Sequence, residues 1–178
     1  MGLDLSFRHD RWLDKLTASP KREGMVHSIF RRPPEGGREP LNHCRVEPGR
    51  GLVGDKWEVD PERQEGTEVS LINVHLIRAI ADGPRQWAEA GDQLVVDLDL
   101  SEANLPVGTR LAIGEAVIEL SDVPHRPCEA FHARFGAKAA KRVARGCARG
   151  LRSRGAMCRV VEAGKIKPGS EVRVLRDG

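Results

Sequence analysis

The run Pro124-His125-Arg126-Pro127-Cys128-Glu129 places a thiol beside a guanidinium and between two prolines' worth of stiff backbone. A neighbouring cation favours the thiolate, which is both the nucleophile and the soft metal ligand of cysteine chemistry. The other reading of Cys128 is a small buried hydrophobe, since free cysteines are among the most buried residues. His125 reads as a partly exposed loop residue, or as a proton donor if its ring faces Cys128. Downstream, ten basic residues lie between Arg126 and Arg159 against one acid, Glu129. The rest of the chain holds nineteen basic and twenty-five acidic residues. A net charge of +3 therefore hides a polarised molecule, and such a field attracts phosphates, oxyanions or nucleic acid. A solvated helix face is the plainer account of the same charges.

These groups need elements to hold them. Residues 114–121 read as a strand before the thiol, and 131–143 as a helix after it. Phe131, Phe135, Ala139 and Val143 are spaced four apart, which predicts one buried stripe with the cations outward. Gly146 and Gly150 are expected to break that helix. Upstream, residues 8–18 read as a short amphipathic helix with Trp12, Leu13 and Leu16 on one face, stopped by Pro20. Strands are expected at 25–30, 41–46, 68–72 and 94–100, where apolar and acidic residues alternate. Further strands are expected at 156–162 and 171–175, and a hairpin joins 110–113 to 116–120 through Gly114-Glu115. Asn73 can cap a helix over 74–81. The run 48–55 is a glycine-rich loop but lacks the features of a Walker or dinucleotide loop. Strands outnumber helices and turns are short, so the fold class is mainly β with a few helices (α+β), a compact barrel. The expected division is a helical extension over 1–23 and a barrel domain over 24–176.

Composition narrows the functions. At 178 residues there is room for one domain with a proper core. Aromatics are 4 % and tyrosine is absent, so a stacking platform for nucleic acid is poorly supplied. No apolar run reaches the length of a membrane span, and the N-terminus is too charged for a secretory leader. Gly2 and Ser6 fit a short acylation pattern that we take as chance. Cys44, Cys128, Cys147 and Cys158 form no Cys-x-x-Cys pair, so a structural zinc site is not expected. Reduced thiols and a cytoplasmic setting are expected instead.

In order along the chain, several stretches resemble the MOSC family, the molybdenum-cofactor sulfurase C-terminal domain. Gly51-Leu52-Val53-Gly54-Asp55-Lys56-Trp57 looks like that family's Gly-Leu-x-Gly-Asp-Arg-His loop. Glu68-Val69-Ser70-Leu71-Ile72 is similar to its strand before the first helix. The hairpin from Pro106 to Gly114 resembles its Pro-Gly-Asp-x-Leu-x-Ile-Gly element, and Arg126-Pro127-Cys128 its Pro-Cys site. Gly150-Leu151-Arg152 and the run from Val160 to Ser170 follow. Trp57 stands where the family has histidine, and Gly91-Asp92-Gln93-Leu94 where it has Gly-x-Asn.

The resemblance implies a MOSC-type β-barrel and the molybdenum cofactor, a molybdopterin, with Cys128 as molybdenum ligand or sulfur carrier. Gly51, Gly54, Asp55, Arg126, Arg152, Arg154 and Arg159 are then the candidate cofactor-binding residues: cations for phosphate, a backbone cradle, and a carboxylate for the pterin N–H groups. The implied activity is a molybdenum-cofactor-dependent oxidoreductase, reducing N-hydroxylated compounds or similar, with an electron-donor protein as partner. One alternative is a metal-free sulfur transferase carrying a Cys128 persulfide, with a sulfurtransferase protein as partner. Another is a non-enzymatic module that binds anions or nucleic acid through residues 126–159. Nucleic acid and membrane are not the expected partners. Pyridoxal phosphate belongs to a separate domain of larger relatives and is not expected here.

Overall fold

The computed structural model describes residues 11–176. Eleven strands are formed: β1 (Glu23–Arg31), β2 (Glu39–Pro40), β3 (Cys44–Glu47), β4 (Gly51–Leu52), β5 (Val69–Asn73), β6 (Leu94–Asp97), β7 (Arg110–Ile113), β8 (Ala116–Leu120), β9 (Ala156–Glu162), β10 (Gly164–Ile166) and β11 (Glu171–Leu175). The helices are α1 (Arg11–Ala18), α2 (Val74–Ile80), α3 (Pro84–Ala88) and α4 (Glu129–Ala148), with a 3-10 turn at Lys56–Val59.

Seven strands close on themselves in the order β11-β7-β8-β9-β5-β6-β1, with β1 pairing back to β11. Closure leaves no long edge to protect. β2 extends the end of β1, and β10-β3-β4 form a small second sheet. All pairings are antiparallel except β5 with β6, whose crossover carries α2 and α3. The expected mainly-β barrel with few helices is the fold found.

One wall of the barrel is buried on both faces. Ile29, Leu71 and Leu94 point into the barrel core with Val26, Val46, Leu111, Ile118 and Val172. Their neighbours Phe30, Ile72 and Val95 point outward, onto Leu13, Leu16, Leu76, Ile77, Trp87, Phe131 and Val143. Alternation along a strand sends successive side chains to opposite faces, so where helices cover the outside these three strands carry apolar residues at consecutive positions. Helices α1, α2, α3 and α4 cover that wall. In α1, Leu13 and Leu16 are buried as the periodicity expects. Residues 8–10 of the expected helix, with Gly2 and Ser6, lie outside the described residues.

Several local expectations need correction. The strand expected over 94–100 stops at Asp97, because Asp99 is buried and turns inward to bond Lys21 Nζ at 2.6 Å and the Ser101 N–H at 2.9 Å. Helix α4 is interrupted at Gly136, with φ 85° and ψ 161°. A left-handed φ costs a residue with a Cβ far more than glycine. The interruption shifts the phase of the stripe, so Ala140 is buried and Ala139 only half-buried. Gly146 does not break the helix. It lies buried within α4, where a Cβ would come 2.3 Å from Ser153 Oγ. The chain turns at Gly150 instead, φ 73°.

Candidate functional site

The loop between β8 and α4 carries Cys128 and is tied down at both ends. Ser121 N–H donates to Met157 O at 3.0 Å, and Phe131 at the start of α4 is 1 % exposed. Between these anchors, Cys147 Sγ lies 3.8 Å from His125 O and 3.5 Å from Ser153 Oγ. Cys128 itself is exposed, at the residue that precedes the first turn of α4, and makes no side-chain capping hydrogen bond. The thiol therefore faces solvent from a fixed backbone. The buried-hydrophobe reading does not describe it; it describes Cys44 and Cys158, whose thiols burial pushes up to about 12.

His125 turns inward, contrary to the loop-residue expectation. Its side chain is 14 % exposed, and Nδ1 lies 3.6 Å from Asp92 Oδ1. Burial pushes the imidazole down to about 4, with Asp92 opposing and Arg154 and Arg32 reinforcing. Asp92 also accepts from Arg154 Nη1 at 2.6 Å, and Arg154 Nη2 donates to Ala90 O at 2.8 Å. The Arg154 guanidinium carbon lies 4.9 Å from the centre of the Phe131 ring. Arg154 thus braces the loop from inside.

A second group of cations flanks the loop. Arg32 follows β1 and grips Asp55: its N–H and Nε donate to Oδ2 at 2.9 and 3.1 Å, and its Nη2 to Oδ1 at 2.7 Å. Lys56 N–H donates to Arg32 O at 2.7 Å, which sets Lys56 beside Arg32. Arg134, on α4, reaches back to Glu89, with Nη1 donating to its carbonyl at 3.1 Å. Arg38 lies near enough to Arg32 and Arg134 to feel both charges, and its Nε is buried without a partner. Burial lowers Lys56, and Arg32, Arg38 and Arg134 lower it further. Burial likewise lowers Arg38, with Arg134 and Arg32 next. Mutual depression of this kind marks a concentration of positive charge that an anion would relieve.

The candidates named from the sequence fall into different places. Arg126 is exposed and lines a cavity of about 320 Å³ together with His125, Cys147 and Arg152. Arg152 is half-buried; its Nη1 donates to Leu100 O and Leu105 O at 3.1 and 2.6 Å. Arg154 is buried behind the loop. Arg159 is exposed on the barrel wall and pairs with Glu119 at 2.7 Å. Gly51 pairs with Glu47 across β3–β4, and a Cβ on it would meet Glu68 O at 2.4 Å. The Gly54 N–H donates to Glu58 at 3.1 Å, and those of Val53 and Asp55 to Arg45 O and Leu52 O. The donors of that loop are thus committed within the fold. Asp55 is 1 % exposed and engaged by Arg32 and the Trp57 N–H. Trp57, in the family's histidine position, is half-buried with Nε1 on Thr67 Oγ1 at 2.9 Å.

Arg32, Arg38, Lys56 and Arg134 were not singled out from the sequence, nor was Asp92 as a partner of His125. The turn from Glu89 to Asp92 gathers part of them. It touches Arg134, Arg154 and His125 in four residues, and a Cβ on Gly91 would lie 3.9 Å from Arg38 Nη2. The Gly91-Asp92-Gln93-Leu94 resemblance was the available signal. Gln93 proves structural: Oε1 accepts from Ser70 N–H and Oγ at 2.9 and 2.6 Å.

The molecule is thus a small closed β-barrel that carries an exposed thiol, an inward histidine and clustered cations. The model of the MOSC domain matches residues 68–173, and the chain belongs to the MOSC family. Among solved structures, the YuaD protein of Bacillus subtilis is 16 % identical, covering 85 % of this chain and 95 % of its own, with a TM-score of 0.62. YiiM from Escherichia coli is 18 % identical over 86 % of this chain and 71 % of its own, TM-score 0.57. YiiM from Geobacillus stearothermophilus is 17 % identical over 87 % and 74 %, TM-score 0.56. These likenesses concern the fold. No curated protein sequence matches the chain. Among the described residues, no helix is long and apolar enough to cross a membrane.

Proposed function

We propose that the chain binds a molybdenum–pterin cofactor at the β8–α4 rim and works as an oxidoreductase on N-hydroxylated compounds. The observation that carries this reading is the exposed Cys128 thiol, which makes no capping bond, on the loop whose His125 feels the Arg32 charge of a crowded cation cluster. The residues fit the group. Among the described residues, no three His, Cys, Asp or Glu side chains converge as metal ligands. A metal held by Cys128 must then arrive with ligands of its own, as a pterin-bound metal does. The buried, unpartnered Arg38 Nε is a donor still in want of an acceptor.

Cys128 would supply a soft sulfur donor. Arg32, Arg38, Lys56 and Arg134 would neutralise the anionic groups, and Arg126 borders the approach. When bound, the cofactor supplies two-electron redox chemistry at molybdenum. Conversion of an N-hydroxyl compound to the parent N–H compound and water consumes two electrons and two protons. A reduced partner protein would provide the electrons.

Protein made in a host that synthesises the cofactor should carry molybdenum and pterin in near-equal amounts. Cys128→Ala should lose the metal. Arg38→Ala with Lys56→Ala should weaken retention of both. A wild-type protein purified with neither metal nor pterin would overturn the reading. The same exposed thiol supports a second reading, a sulfur carrier. Its measure is a one-sulfur mass gain on Cys128 after exposure to a persulfide donor. The anion- or nucleic-acid-module alternative rests on the α4 face of Lys138, Lys141, Arg142 and Arg145, since Arg154 is buried, Arg152 half-buried and Arg159 paired with Glu119.

A further inference from the structure

The His125–Asp92–Arg154 group lies outside the roles just assigned. Asp92 Oδ1 and His125 Nδ1 are both buried with no hydrogen-bond partner, and they face each other across 3.6 Å. Two orphaned polar atoms in mutual contact are costly unless a proton lies between them. With the proton on Nδ1, a donor faces a carboxylate oxygen. With it on Nε2, the Nδ1 lone pair faces that oxygen and the two repel in a low-dielectric site. A slight ring rotation closes 3.6 Å to hydrogen-bond range, and such contacts are often long in ligand-free sites.

Arg154 holds the carboxylate for this purpose. Its Nη1 takes the other oxygen, Oδ2, at 2.6 Å, and its Nη2 is fixed on Ala90 O. Only Oδ1 is left to meet the imidazole. The side chain is 14 % exposed and lines the cavity shared with Arg126, Cys147 and Arg152, so with Nδ1 turned to Asp92 the nitrogen left for a ligand is Nε2. The charged groups around the ring are Asp92 from the turn before β6, Arg154 from the segment before β9, and Arg32 from the end of β1. The Cys147 thiol meets the backbone carbonyl of His125 from α4.

We propose that Asp92 and Arg154 are positioning residues that lock His125 as its Nδ1–H tautomer, and that Nε2 is a neutral acceptor for the substrate's N–O–H hydrogen. This rests on the N-hydroxyl reading above and adds a specificity element to it. A neutral acceptor beside a cation cluster selects a group that still carries its proton. A site that hydrogen-bonds a substrate hydroxyl discriminates against analogues lacking it, because its own polar group is then left unpaired. The depressed titration of His125 keeps the ring neutral near pH 7, as an acceptor requires.

The test is long-range proton–nitrogen NMR of the 15N-labelled protein. From pH 6 to 8, His125 should show a protonated Nδ1 and a bare Nε2. A dominant Nε2–H tautomer, or a mixed population, would overturn the lock. Asp92→Asn should abolish the tautomer preference; if that variant does not fold, the wild-type spectrum alone decides. N,N-diethylhydroxylamine, whose only donor is its O–H, should shift the Nε2 resonance, and its O-methyl ether should not. Equal responses, or none to either, would overturn the substrate contact. These readouts need no molybdenum. A correct tautomer in a protein that never carries the cofactor would sink the proposed function and leave the lock standing.

Discussion

Replacing Arg154 by methionine tests the brace behind the thiol loop. Arg154 is 5 % exposed and Asp92 2 %, so the substitution strands a carboxylate in the interior. Breaking a buried pair from one side costs about 3–5 kcal/mol, largely the penalty of the uncompensated charge. The unpartnered Arg154 Nε and Asp92 Oδ1 show that the pair is imperfectly satisfied. That lowers what the pair contributes to stability, but not what its disruption costs. Methionine keeps part of the packing over Phe131, so the loss of the charge dominates. For a chain of this size about 2–4 °C accompanies each kcal/mol, giving a fall in Tm of roughly 6–20 °C. Urea unfolding followed by tryptophan fluorescence reads the free energy. Adding Asp92→Asn removes the stranded charge and should restore part of the loss, with a coupling of about 1–3 kcal/mol. A single variant losing under about 1 kcal/mol would refute the reasoning. So would a double variant as unstable as the two separate losses added together.

Two further outcomes follow from burial. Below pH 6.5 the unfolded chain protonates His125 while the folded chain resists until about 4, so stability present above that window is lost as pH falls through it. The limit is about 3 kcal/mol. His27 is lowered in the same direction by burial, so the measurement is the difference between wild type and His125→Gln, whose stability should fall less between pH 6.5 and 4.5. Parallel curves would count against the assignment. In thiol titration with a disulfide reagent, Cys128 should react fast and Cys147 slowly. Cys44 and Cys158 should wait for unfolding, and rapid labelling of all four would contradict their burial.

Much of the barrel was legible in the sequence because its strands announce themselves locally. The hairpin at 110–120 and the strands 156–162 and 171–175 form where alternation and turn residues place them. The short pieces were not legible. Strand β4 has two residues and β10 three, too few for a period to show. Asp99 looked like the outward half of an alternating strand, yet it is buried against Lys21, seventy-eight positions away, a partner no local pattern reveals.

The convergence of cations was not legible for a related reason. A charge count along the chain finds runs, whereas a binding site needs convergence in space. Of the ten cations between Arg126 and Arg159 only Arg134 joins the cluster; the rest run through a broken helix, a tight turn and a barrel strand, and so disperse onto a helix surface, an interior pair and an outer wall. The four that do converge come from the end of β1, the loop after it, the 3-10 turn and α4. Only the antiparallel return of the chain and the Asp55 latch bring them together. Of the four, Arg32 also acts on His125, three residues before the Cys128 that the sequence singled out. The thiol was legible because proline, arginine and a helix start are adjacent in sequence. The cation cluster was not, because it is a product of barrel closure.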